Sequence, residues 1–116
     1  MNFLDCTLEG CVARVNGADI RLDEELAAKG RRAGGRLELG IRPMYLEVHS
    51  QAPEGGVPAR VKAIEDLGSY RVMTLSLAGA TLRAKLPEGR LFPSDEVWLN
   101  FPLEWTRLFA DGRLVK

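Results

Sequence analysis

Few residues in this chain have types that could carry chemistry. They are three pairs of adjacent carboxylates, Glu24-Glu25, Glu65-Asp66 and Asp95-Glu96, the single histidine His49, two cysteines and the basic, glycine-rich stretch KGRRAGGR from Lys29 to Arg36. Paired carboxylates can divide into a general acid and a general base when their surroundings push their pKa values apart. All three pairs fall at turns and element ends, where acidic side chains solvate and cap, so acid/base work is not read from them. His49 would have to be the base for any nucleophile, and no serine sits in a G-x-S-x-G elbow, so the ring reads as a surface or linker histidine. KGRRAGGR lacks the G-K-[ST] ending and the strand-to-helix setting of a phosphate-cradling loop. It reads as a solvated loop, with an anion site on Arg31, Arg32 and Arg36 as the weaker alternative. Cys6 and Cys11 have neither a second cysteine pair nor a nearby histidine to complete a zinc site, and read as small buried hydrophobes.

Rings beside arginines are the remaining candidate. Small β-barrels can hold single-stranded nucleic acid by stacking bases on exposed rings in a positive groove. Tyr70 and Trp98 alternate away from the apolar faces, with Arg60, Arg71 and Arg83 within reach. However, Lys+Arg and Asp+Glu both total 16 and aromatics make up only 7% of the chain, so there is no general attraction to phosphate backbones. No nucleic-acid partner is expected. Trp98, Phe101, Trp105 and Phe109 read instead as packing at one end of the fold or as an intersubunit surface.

The elements that must position these residues are short strands. With 116 residues, 46% of them hydrophobic, the chain suits one domain with one core. Period-two alternation recurs at Asn2 to Leu8, Cys11 to Val15, Ala18 to Leu22 and Leu37 to Ile41. After a polar connector, QAPEGGVP at Gln51 to Pro58, it returns from Val57 to Ala63, Met73 to Leu77, Leu82 to Leu86, Val97 to Phe101 and Thr106 to Val115. Asn16-Gly17 and Asp111-Gly112 supply the positive-φ pairs of type I′ hairpins. Pro87-Glu88-Gly89 and Pro93-Ser94-Asp95 read as turns. Only Asp23 to Lys29, stopped by Gly30, and Arg42 to Val48, with Pro43 at a first helical position, have helical character. The sum is an all-β fold, a barrel or sandwich of about nine or ten short strands with one or two short helical turns. No apolar run approaches the ~20 residues that span a bilayer, and MNFLDCTLEG lacks the order of a signal peptide, so a cytoplasmic location is expected.

The sharpest break lies in ELGIRPMYLEV, Glu38 to Val48. Pro43 cannot donate to a ladder and disfavours a helical Arg42, so the strand must stop there. Met44, Leu46 and Val48 are then expected to cover the barrel mouth while Arg42 points outward as an ion-pairing or carbonyl-binding residue.

GIRP at Gly40 to Pro43 resembles the G-I-R-P-E-H-L signature that follows the nucleotide-binding domain in ATPase subunits of bacterial ABC importers of the maltose, oligosaccharide and glycerol-phosphate type. MNFL at Met1 to Leu4, VKAIEDLGS at Val61 to Ser69 and LFADGRLV at Leu108 to Val115 are similar, in order and spacing, to other marks of the same C-terminal regulatory domain. That domain is built on transport-associated oligonucleotide-binding-like (TOBE) barrels. Met44 and Tyr45 stand where that family has Glu and His, and Pro93-Ser94-Asp95 replaces Pro-Gly-Asp.

The resemblance implies one TOBE-like domain over 1–116, with 1–50 as first strand group and hinge and 57–116 as the second. It implies regulation and dimerisation of an importer's ATP-binding subunit, with no catalytic, metal or cofactor site in this chain; ATP and magnesium belong to the parent's ATPase domain. The implied partners are that ATPase domain, a second copy of the chain and a regulatory protein or small effector, and the membrane permease is reached only through the parent. The location would be peripheral to the inner membrane. The candidate contact residues are Gly40, Arg42, Pro43, Tyr45, Glu65, Gly68, Trp98 and Phe109. A free-standing oxyanion-binding barrel is the alternative.

Overall fold

The structure is a computed structural model that describes residues 1–89, 92 and 94–116. Its strands are β1 (Asn2–Glu9), β2 (Val12–Val15), β3 (Ala18–Arg21), β4 (Leu37–Ile41), β5 (Glu47–His49), β6 (Val57–Asp66), β7 (Tyr70–Leu77), β8 (Ala80–Pro87), β9 (Glu96–Asn100), β10 (Arg107–Ala110) and β11 (Arg113–Leu114). Helix α1 (Glu24–Ala33) follows β3, and a 3-10 turn (Leu103–Trp105) precedes β10. One sheet has the order β11-β10-β4-β1-β2-β3 and the other β5-β9-β6-β7-β8. Every pairing is antiparallel. The curled sheets form a half-barrel, and the all-β class expected from the alternation is what the chain adopts.

One core fills the space between the sheets. Leu4, Ile20, Leu39, Ile41 and Leu108 from the first sheet meet Val48, Met73, Leu75, Leu82 and Leu99 from the second. These are the alternate residues of their strands, as half-buried pleated ribbons require. Asn2, itself buried, joins the sheets by donating from Nδ2 to the Arg83 carbonyl (2.7 Å) and accepting from the Arg83 amide at Oδ1 (2.9 Å). The Lys85 amide of β8 donates to the Pro43 carbonyl at 2.9 Å.

Strand β5 joins the second sheet, while β10 and β11 return to the first. Three expectations need correction. Residues 42–48 are not helical. Pro43, Met44 and Tyr45 form a turn closed by the Tyr45 amide on the Arg42 carbonyl (3.0 Å), and β5 follows, raising the strand count among the described residues to eleven. Leu46 and Val48 are buried two residues apart, which suits an extended chain, but Met44 is exposed and covers nothing. Gly30 does not stop α1. A Cβ there would meet Leu108 Cδ1 at 2.7 Å and Leu8 Cδ1 at 2.8 Å, so Gly30 lets the helix lie close on the sheet, and Gly34, at φ 66°, ends it with its amide on the Gly30 carbonyl. Asp23 caps the start by accepting from the Leu26 amide. Of the Pro93-Ser94-Asp95 turn, Pro93 lies outside the described residues.

Candidate functional site

The end of β4 shows why GIRP has the sequence it has. Leu39 and Ile41 point into the core, so Gly40 lies on the outer face, opposite Phe3 of β1 and Arg107 of β10. The Phe109 ring occupies the space a side chain would need: a Cβ on Gly40 would fall 2.7 Å from Phe109 Cε1. Phe109 also meets Phe3 edge to face, with centroids 5.1 Å apart and ring planes at 75°, an arrangement the ring quadrupoles favour. The ring is therefore fixed from two sides.

Beyond Gly40 the chain leaves the sheet at Arg42 and turns through Pro43. That turn brings Tyr45 onto Trp105, with centroids 4.1 Å apart and planes 5° from parallel. The two rings and the Phe109 edge wall a groove of about 350 Å³ between the 42–45 turn, the 3-10 turn and β10, with Met1 and Leu114 completing its apolar side. Arg42 and Arg107 also line it, and no carboxylate does. Arg107 Nη1 donates to the carbonyls of Glu104 (2.7 Å) and Thr106 (3.4 Å), which fixes its direction. Arg42 is exposed, and its guanidinium has no carboxylate partner among the described residues. The outer surface around the groove is apolar, since Met1, Phe3, Met44, Trp105 and Leu114 are 40–54% exposed.

Five of the eight candidate residues meet here: Gly40, Arg42, Pro43, Tyr45 and Phe109. The other three do not. Glu65 is exposed on β6, and Gly68, at φ 92°, makes the β6–β7 turn with its amide on Asp66 Oδ1. Trp98, on β9, lies between Pro58 of β6 and His49 of β5. Tyr70 pairs with Pro87 at the opposite end of β6–β7–β8, under the Lys85 ammonium (4.3 Å), so Tyr70 and Trp98 form no shared stacking platform. The arginines near them are engaged: Arg60 faces Glu96 (3.6 Å) and Arg71 faces Asp66 (3.6 Å). Arg107 is a groove residue that the sequence did not single out, and Trp105 was read only as packing at one end of the fold or as an intersubunit surface. The alternation Trp105, Arg107, Phe109 carried the signal, and the turn that makes Trp105 meet Tyr45 is tertiary.

KGRRAGGR is not an anion site as drawn. Arg31 donates to the Gly10 carbonyl, and Arg36 bridges to Asp5 (2.9 Å) while its amide donates to Asp111 (2.9 Å). Cys6 and Cys11 are free and half-buried. Burial, then the charge of Asp5, pushes the Cys6 thiol up to about 11. His49 sits 3.3 Å from Glu47. Among the described residues no group of three or more His, Cys, Asp or Glu side chains could hold a metal ion.

The profile of the TOBE domain family matches residues 39–109. The chain is 33% identical over 105 residues to the sn-glycerol-3-phosphate import ATP-binding protein UgpC 2 of Agrobacterium fabrum, covering 88% of this chain and 27% of that protein. It is 34% identical over 106 residues to the corresponding UgpC of Salmonella typhimurium, covering 90% of this chain and 27% of that protein. Its similarity to the molybdate/tungstate import ATP-binding protein WtpC of Pyrococcus horikoshii is 27% over 117 residues, covering 93% of this chain and 32% of that protein. The chain thus spans about a quarter to a third of the length of these relatives.

Proposed function

Because this chain belongs to the TOBE domain family, we propose that it is the regulatory and dimerisation domain of the ATP-binding subunit of an importer for a sugar or related solute, with no catalytic site of its own. The observation that carries this reading is the near-complete coverage of the chain, 88–93%, by a minor part of import ATP-binding proteins. The whole subunit would hydrolyse ATP at magnesium in a separate domain and engage a membrane permease; this domain would hold two subunits together and receive regulatory signals. Its place would be the cytoplasmic side of the membrane, and no helix among the described residues is long and apolar enough to cross one.

The apolar outer face supports pairing of two copies. Exposed Met1, Phe3 and Leu114 surround the pinned Phe109 ring, and a contiguous apolar patch of this kind marks an interaction surface. Light scattering over a concentration series tests it. The expected result is a dimer that Phe3→Asp returns to monomer, and a monomer at every concentration would remove dimerisation from the proposal. Reading the gene upstream of the Met1 codon tests the parent: an open frame continuing back through a Walker A motif is expected, and an immediate stop codon would leave a free-standing barrel. Oxyanion binding, favoured by the similarity to a molybdate/tungstate import protein, would then lead, and calorimetry with molybdate, tungstate and sulfate decides it.

A further inference from the structure

We propose that the groove walled by Tyr45, Trp105 and Phe109 binds a small organic anion that carries a planar ring, of the aryl carboxylate or aryl phosphate class. Charge argues for an anion. Lysine plus arginine balances aspartate plus glutamate over the whole chain, yet the groove is lined by two guanidinium groups and no carboxylate. Such a local excess of one sign raises the local concentration of the opposite one. Arg14, Arg36, Arg60 and Arg71 each face a carboxylate, whereas Arg42 is exposed at the rim without one. Arg107, held by two backbone carbonyls, keeps donors to spare, since a guanidinium has five N–H groups in a planar fork suited to carboxylate and phosphate.

The walls argue for a ring. Tyr45 covers one face of Trp105, and Trp105 is nevertheless 40% exposed, so the indole still offers surface to a third planar group. Ring stacking contributes beyond simple burial of area. The size of the groove, about 350 Å³, lies at the lower end of small-molecule sites; it admits one ring with its charged substituent. An inorganic oxyanion would leave the aromatic wall unused. The walls are also preformed, because Phe109 is held by Phe3 and by the bare backbone of Gly40, so little ordering opposes binding. That the ligand acts as an effector rests on the regulatory reading above; binding itself is measured on this chain alone, so failure of that reading leaves the binding test intact.

The test uses indole fluorescence of the Trp98→Phe chain, in which Trp105 is the remaining indole, with calorimetry on the unaltered chain as a check that does not depend on the substitution. Phenyl phosphate, benzoate, inorganic phosphate, molybdate and an acidic decapeptide are the probes. Saturable quenching by phenyl phosphate is expected, at least about tenfold tighter than inorganic phosphate, and Arg42→Gln should weaken it about tenfold, as loss of a charge-assisted hydrogen bond would. Arg42 is exposed and its side chain supports no other group, so an unchanged circular dichroism spectrum accompanies that loss. Absence of saturable binding by either aryl anion up to ~10 mM would overturn the proposal. So would equal affinity for inorganic phosphate or molybdate, binding by the acidic peptide alone, or indifference to both Arg42→Gln and Trp105→Leu.

Discussion

The groove end of the molecule and the tip of the β6–β7 hairpin both present large apolar side chains to water, and they do so on opposite terms. At the groove, Phe109 rests on Gly40 and Phe3, Tyr45 on Trp105, and buried Leu39 and Ile41 lie directly beneath on β4. At the hairpin, no residue from Lys62 to Ser69 is buried, and Ile64 (51% exposed) and Leu67 (45%) lie past the end of the β6–β9 pairing, where β6 has only β7 beside it. The Leu67 amide on the Tyr70 carbonyl and the Gly68 amide on Asp66 close the turn. Exposed apolar area alone does not make a site. A surface becomes selective when its side chains are held by contacts beneath and beside them, and only the groove meets that condition.

The largest effect should separate the two regions by stability. Leu39→Ala, under the groove, is expected to cost about 2–5 kcal/mol in urea unfolding, whereas Ile64→Ala should cost well under ~1.5 kcal/mol because half of that side chain is already in water. Equal losses would mean that the hairpin is as tightly packed as the groove floor. Next, Gly40→Val places methyl groups where Phe109 lies. A loss of about 1–3 kcal/mol is expected, along with a changed near-ultraviolet circular dichroism spectrum from the displaced rings. Gly68→Ala puts a Cβ at φ 92° and should cost about 1 kcal/mol, leaving the groove's aromatic signal as it was. A change in that signal would show that the regions are coupled. Trp105→Phe, which keeps an apolar ring but weakens the stack on Tyr45, should lower stability by only about 0.5–1.5 kcal/mol.

The smallest effect is one of pH. The folded chain holds the Cys6 proton up to about 11, more tightly than an unfolded thiol of pKa about 8.5 would. The fold's advantage is therefore complete below the ordinary thiol range and fades as pH rises through about 11. Urea midpoints at pH 8 and pH 10.5 should fall for the parent chain and fall less for Cys6→Ala.

Much of the scaffold was legible in the sequence. Period-two alternation gave the core faces of β7, β8 and β9 but not that of β6, where the register shifts between Val61 and Ala63 and Ala63 is exposed, and Asn16-Gly17 and Asp111-Gly112 turn with the positive φ angles expected of them. Ala78-Gly79 adopts the same pair, with Ala78 at φ 49°, although alanine gives no local sign of it. The strand break at Pro43 was legible because proline's missing amide is a local fact. The groove was only half legible. Gly40, Arg42, Pro43 and Tyr45 stood out as one motif, but Trp105 lies sixty residues beyond Tyr45 and nothing local says that the two rings stack. Gly30 misled for the related reason that a glycine needed for close helix packing looks, in one dimension, like a glycine that ends a helix.

The two hydrogen bonds of Asn2 and the one at Pro43 have a consequence for solubility. Strand β8 is the outermost of its sheet, and its free edge would otherwise offer a template for another chain's strand. Asn2 occupies both backbone groups of Arg83, Pro43 accepts from Lys85, and Pro87 closes the strand with a residue that has no amide to give. Such edges are the usual route to β-aggregation, and proteins block them by covering or interrupting the ladder. Asn2 thus guards a strand position 81 residues later in the chain, and Pro43 guards a second position on the same strand. Shortening the chain by the first two residues would leave nearly all of the core intact while freeing the amide and carbonyl of Arg83 for a passing strand, and the truncated protein should precipitate before it unfolds.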